Sequence, residues 1–163
     1  MNPKTLESKW QKKWAEAKAY ESEPGGAKEK YFVNCPYPYM NGYLHLGHAF
    51  TYLRADMVSR YQRMQDKNVL FPFAFHCTGT PIVAAAQRVE EGEETQIKAL
   101  KQMGLSDTLI KKFSNPEEWT KHFPDKAIQD LKKFGASIDW RRSFITTSSV
   151  SYTHLTLPTS SQV

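Results

Sequence analysis

Apolar residues recur at helical spacing from the start of the chain. Leu6, Trp10, Trp14 and Ala17 repeat every three or four positions with lysines and glutamates between them, which predicts a helix over 4–20. Glu23-Pro24-Gly25-Gly26 breaks the period and marks a linker. Tyr31 to Cys35 is a short apolar run of the kind a buried parallel strand shows. Pro36 to Gly42 cannot continue as a helix, because Pro36 and Pro38 lack an N–H and hold φ. Helical spacing resumes over 46–65, with Phe50, Leu53, Met57, Tyr61 and Met64 lining one face. Arg54, Arg60 and Arg63 fall elsewhere and are expected to form a solvated face. Asp66-Lys67-Asn68 turns the chain into a second apolar run, Val69-Leu70-Phe71. Residues 31–72 therefore predict a strand–loop–helix–strand unit, the right-handed crossover of a parallel sheet.

Phe73 to Thr80 predicts a second loop, followed by a helix over 82–91 with Pro81 near its start. Residues 95–113 predict one or two short helices around Gly104. Asn115-Pro116-Glu117-Glu118 combines a cap, a first-turn proline and first-turn acids, so another helix starts there. It runs towards Phe134, with Pro124 a candidate interruption, and Gly135 ends it. Phe144 to Thr147 is a candidate third strand. The fold class expected is α/β, a partial dinucleotide-fold sheet with flanking helices and an N-terminal helix.

The chain has 163 residues, 40% of them hydrophobic and 13% aromatic, which excludes a disordered composition. No run approaches the roughly 20 apolar residues of a membrane span, and the charged N-terminal helix is not a signal peptide. Cys35 and Cys77 are too few for a disulfide framework, so free thiols and a cytoplasmic location are expected. The net charge of +5 fits RNA or nucleotide partners without demanding them. No Lys, Arg, Asp or Glu follows Arg142. The Ser/Thr-rich string from Val150 to Thr159 reads like one frame of a transposon-type sequencing adapter, so 149–163 is expected to be a non-native tail. The organisation expected is thus an N-terminal helix and linker over 1–26, a catalytic half-domain over 27–148, and that tail.

The chemistry concentrates at His45-Leu46-Gly47-His48, where loop hands over to helix. A helix N-terminus offers free N–H groups and partial positive charge, and two imidazoles add donors there. That suits a phosphate gaining charge in a transition state. Gly47 has no side chain, so a base or ribose could approach its backbone. Trp10 and Trp14 are expected to pack the first helix against the domain, and Asp139, Arg141 and Arg142 to form a salt-bridged loop. Zinc on Cys35, His45, His48 and Cys77 is not expected, because His-x₂-His is tighter than finger spacing and no Cys-x₂-Cys occurs.

His45-Leu46-Gly47-His48 resembles the His-x-Gly-His element of class I aminoacyl-tRNA synthetases, an element that small nucleotidylyltransferases share. Longer strings narrow the resemblance. Asn34 to His45, with Pro36-Tyr37-Pro38, is similar to the leucyl enzymes and differs from isoleucyl and valyl loops. Phe75-His76-Cys77-Thr78-Gly79-Thr80-Pro81-Ile82 and Asp139 to Thr147 resemble the archaeal and eukaryotic branch. The resemblance runs from about Leu6 to Thr147. It implies a dinucleotide-fold catalytic domain split by an editing insertion. It implies ATP, as its Mg²⁺ complex, with leucine and tRNA(Leu) as partners, and neither membrane nor DNA. It implies that His45 and His48 contact ATP beside Gly47, and that Asn34, Cys35 and Tyr37 line the leucine side. His76 stands where bacterial enzymes carry an Asp for the ammonium group, a departure in this chain. Apolar pockets separate leucine from its isomers by only about 1–3 kcal/mol, so editing is expected. Rival readings are an isoleucyl, valyl or methionyl relative, a nucleotidylyltransferase, or a non-catalytic RNA-binding fragment. The chain by itself is expected to be inactive, because it carries no second signature loop.

Overall fold

The computed structural model describes residues 2–148, so the tail expected over 149–163 lies outside the described residues. Two compact units share the chain. One takes residues 2–37, 44–73 and 128–143, and the other 38–43, 74–127 and 144–148.

In the first unit, β1 (Lys30–Phe32) pairs in parallel with β2 (Asn68–Leu70), in the register Lys30 to Asn68, Tyr31 to Val69 and Phe32 to Leu70. The crossover between them is α2 (Leu46–Met64), as the residue pattern predicts. The face of α2 that is buried is not the apolar one. Phe50, Met57, Tyr61 and Met64 are all more than half exposed and Leu53 is 41% exposed, while Tyr52, Asp56 and Ser59 are buried. A polar network explains the inversion. The buried Asp56 carboxylate accepts from Arg60 Nε at 2.7 Å and from the Ser137 N–H at 2.6 Å. Arg60 also donates to the Tyr20 hydroxyl and the Gly135 carbonyl, and Arg63 donates to Ser137 Oγ at 2.9 Å. Arg60 and Arg63 are therefore structural, which corrects the expectation of a solvated arginine face. Arg54 does stay exposed, over the Phe50 ring.

The first helix, α1 (Pro3–Glu16), ends short of the predicted residue 20. It ends in a Schellman turn with Lys18 at the left-handed position. None of its residues is buried, yet Trp14 packs against Tyr20 (5.8 Å between centroids) and under the Arg60 guanidinium, as expected of a docking residue. The expected salt-bridged loop forms on Asp139 and Arg141, while among the described residues Arg142 makes none of its ion pairs. The Asp139 side chain is fully buried and accepts from the Ser22 N–H at 3.0 Å and from Arg141, which also pairs with Glu21 and Glu23.

In the second unit, β3 (Ala74–Phe75) pairs in parallel with β4 (Phe144–Ile145). A parallel bridge from Tyr39 to His76 adds a third line of backbone on the other side. The segment predicted as a plain loop over 73–80 thus contains a strand, because its partners lie far away in sequence. Around it stand α3 (Thr80–Glu90), α4 (Glu94–Gln102), α5 (Asp107–Lys112) and residues 116–127 of α6 (Pro116–Phe134). Phe113, Trp119 and Phe123 form the aromatic core, with each ring at most 1% exposed. Full burial of such a side chain contributes roughly 1.5–3 kcal/mol, and the Trp119 indole N–H is satisfied by the Phe113 carbonyl at 2.7 Å. Pro124 does not interrupt α6, and Gly135 at φ 81° follows its end. Among the described residues no helix is long and apolar enough to cross a membrane.

Candidate functional site

The paired histidines cap α2, and they cap it with each other. His45 is the N-cap, in extended backbone at φ −125°. Its Nδ1 accepts from the Gly47 N–H at 3.1 Å, and the His45 N–H donates to His48 Nδ1 at 3.2 Å. This is a capping box built from two imidazoles in place of the usual hydroxyl and carboxylate. Two otherwise unpaired N–H groups at the helix mouth are satisfied by it.

The arrangement has a chemical consequence. An Nδ1 that accepts must carry a lone pair, so each neutral ring holds its proton on Nε2. Both rings then present Nε2–H as a donor. The ring centroids lie 4.0 Å apart at 42°. His45 is exposed and His48 half-buried, so neither ring is shut inside an apolar interior. Burial, and secondarily the neighbouring His45, push His48 below its ordinary pKa, which keeps it neutral. Gly47 matters for a reason the sequence did not reveal. A Cβ there would meet His45 Cε1 at 3.0 Å and Nδ1 at 3.1 Å. The glycine leaves room for the capping ring itself.

The strand end lies in the same unit. The Val33 N–H continues the ladder to the Leu70 carbonyl at 2.9 Å, after which the prolines turn the chain. Asn34 and Cys35 line a cleft of about 390 Å³ together with Thr51 and Arg54 of α2. Arg54 was expected only on a solvated face, and Thr51 was not singled out from sequence, although it lies one helical turn beyond Gly47, to whose carbonyl its hydroxyl donates. Tyr37 is half-buried, in edge contact with Phe73 at 6.3 Å, and its side chain is hydrogen-bonded to Asn34. Burial raises its phenol, as it raises the Cys35 and Cys77 thiols to about 11. Both cysteines are free and buried.

His76 belongs to the second unit. Its backbone N–H donates to the Pro38 carbonyl at 2.8 Å and its carbonyl accepts from the Met40 N–H at 3.1 Å. Its ring stands edge-on to Tyr39 at 4.2 Å, a pairing that no local pattern announces. Tyr43, the last residue of that loop, packs on Phe123 at 5.3 Å and meets His122 Nε2 through its hydroxyl at 3.4 Å.

A family model described as tRNA synthetases class I (I, L, M and V) matches residues 9–155. The chain is 48% identical over 145 residues to a leucine-tRNA ligase of Aeropyrum pernix, covering 89% of this chain and 15% of that protein. It is 38% identical over 195 residues to the cytoplasmic leucine-tRNA ligase of Pongo abelii, covering 88% and 17% respectively. Among solved structures it is similar to the LeuRS chain of an Agrobacterium radiobacter K84 agnB2 LeuRS-tRNA-LeuAMS ternary complex, with a TM-score of 0.67. That likeness, at 23% identity over 89% of this chain and 16% of the other, is one of fold. The chain thus spans 12% to 17% of the length of the curated relatives it matches.

Proposed function

The chain belongs to the class I tRNA synthetases of the I, L, M and V group, and from that premise we propose that the full-length protein is a leucine-tRNA ligase. It activates leucine with ATP to leucyl-adenylate and transfers the leucyl group to tRNA(Leu). The observation that carries this is the reciprocal histidine cap at the mouth of α2. A leucine carboxylate oxygen attacks the α-phosphorus and pyrophosphate leaves. Negative charge grows on the phosphate oxygens as it does so. The Nε2–H groups of His45 and His48 donate to those oxygens, and the helix N-terminus adds its partial positive charge. The rings are held by their own caps, so little reorganisation accompanies the charge shift. Mg²⁺ enters with ATP as part of the substrate.

Asn34, Cys35 and Tyr37 are assigned to the leucine side, and His76 to the substrate ammonium. A neutral His76 ring accepts a hydrogen bond where a carboxylate would supply charge. The sheet is read as the first part of a dinucleotide-type sheet, and the organisation as helix and linker over 1–26, catalytic half-domain over 27–148 and non-native tail over 149–163. A cytoplasmic location accompanies this reading.

The test is ATP–pyrophosphate exchange by the full-length protein with leucine, isoleucine, valine and methionine in turn. Leucine dependence is expected, with at least a roughly hundredfold loss on His45→Ala or His48→Ala, the size of one lost oxyanion donor. Exchange driven by another amino acid, or His→Ala variants with undiminished rates, would overturn the assignment. The 163-residue chain alone is expected to show no exchange.

A further inference from the structure

The proposed chemistry leaves one corner of the first unit unused. A cleft of about 380 Å³ opens there between α1, the segment after it and the residues following α6. Its volume falls in the range of small-ligand sites. Trp14, Tyr20, Ile138 and Trp140 supply flat and apolar wall. Lys18, Lys132 and Arg141 supply the cationic part. The Arg141 guanidinium is already committed to Asp139, Glu21 and Glu23. Among the described residues Lys18 and Lys132 have no carboxylate partner, and the Lys132 ammonium stands 5.7 Å from the Trp140 ring centroid.

The backbone of Lys18 is a second, independent observation. The Lys18 N–H donates to the Ala15 carbonyl at 3.1 Å and the Ala19 N–H to the Trp14 carbonyl at 3.0 Å, which together make a Schellman turn. The residue at its left-handed position is ordinarily glycine, because a Cβ is disfavoured there. Here it is Lys18, at φ 50°. A non-glycine residue in this conformation carries a local cost, and its side chain stands on the lip of the cleft, which points to use of that side chain.

We propose that this cleft takes one unstacked nucleotide of an RNA strand, with its base against the indole and phenol walls and its phosphate on Lys18 and Lys132. Every base has a π-face that stacks on aromatic side chains, and lysines supply the backbone contacts. The neighbouring surface favours a polyanion: α1 carries four lysines against two glutamates, and Lys133 follows Lys132. From the preceding reading this takes only that RNA is a partner, and it involves none of the residues assigned to adenylation.

The experiment uses the full-length protein and a short fluorescein-labelled single-stranded RNA, with AMP as competitor. Lys18→Gly suits the left-handed backbone, so the fold is expected to be kept. Lys18→Gly and Lys132→Ala are each expected to weaken RNA binding roughly threefold to fivefold. Each should flatten the log–log salt dependence by about 0.7. A thiouridine-substituted RNA should crosslink to the peptides bearing α1 and Trp140. Affinity and salt slope unchanged in the folded double variant would overturn the proposal. So would lysine-dependent binding of AMP without lysine-dependent binding of RNA, which would make the site one for a free nucleotide. Leucine-dependent exchange without RNA is expected to persist in both variants. Its absence from the wild-type protein would sink the adenylation reading while leaving the RNA measurement interpretable.

Discussion

Gly47→Ala separates two reasons for having a glycine between the histidines. An added Cβ would stand 3.0 Å and 3.1 Å from two atoms of the His45 ring, so the ring must yield by a few tenths of an ångström. The ring is also the acceptor for the Gly47 N–H, so that bond is strained or lost. Its loss costs about 0.5–1.5 kcal/mol. Alanine within a helix recovers about 0.5–1 kcal/mol relative to glycine. The two effects nearly cancel, so thermal stability should scarcely change. Catalysis has no such compensation. A misplacement of about 1 Å can cost about a hundredfold, so a few tenths of an ångström together with a loosened tautomer should lower the exchange kcat roughly tenfold, or about 1.4 kcal/mol. The assay is leucine-dependent ATP–pyrophosphate exchange by the full-length variant, with kcat and the KM for ATP resolved separately. A glycine needed only to admit the nucleotide would raise that KM and leave kcat alone. A variant with undiminished kcat, or one that loses activity only because it unfolds, refutes the capping argument.

The remaining predictions concern groups around this core. Asp56→Ala should destabilise the protein by about 2–4 kcal/mol in chemical denaturation, because it orphans the Ser137 N–H and half-exposed Arg60 together. Asp56→Asn, which keeps an acceptor for Ser137, should lose clearly less, and equal losses would count against the network. Burial opposes the charge on Asp139, but Arg141 and the Ser22 N–H hold its carboxyl below the ordinary 3.8. Its stabilisation is therefore complete above that value and lost as pH falls beneath it, and denaturation of Asp139→Asn should show a flatter acid limb than the wild type. His48 is held below the ordinary 6.5 by burial and then by His45, so its neutral, capping form persists into mild acid. The acid limb of exchange should then lie below pH 6.5, and an inflection above it would contradict the cap. Cys35 and Cys77, raised to about 11 from 9.0 by burial, should alkylate about a hundredfold more slowly than an exposed thiol in the native state. Rapid native-state labelling of either would refute that.

Local order in this protein was legible without coordinates because it depends on local chemistry. Periodicity and punctuation alone place the crossover unit over 31–72, the α6 start at Asn115-Pro116 and the end at Gly135. The two histidines also stand at the three-residue spacing of a capping box, so their mutual cap was readable in principle, masked only by the unusual residue types. Tertiary structure decided the rest, since it depended on partners distant in the chain. The Asp56 carboxylate finds Ser137, so α2 buries a polar face and leaves Phe50, Met57 and Tyr61 in solvent. Ala74 finds Phe144, so an apparent loop becomes a strand. Burial rewards whichever face meets a satisfied surface, and hydrophobic spacing reports that an amphipathic face exists without saying what it will meet.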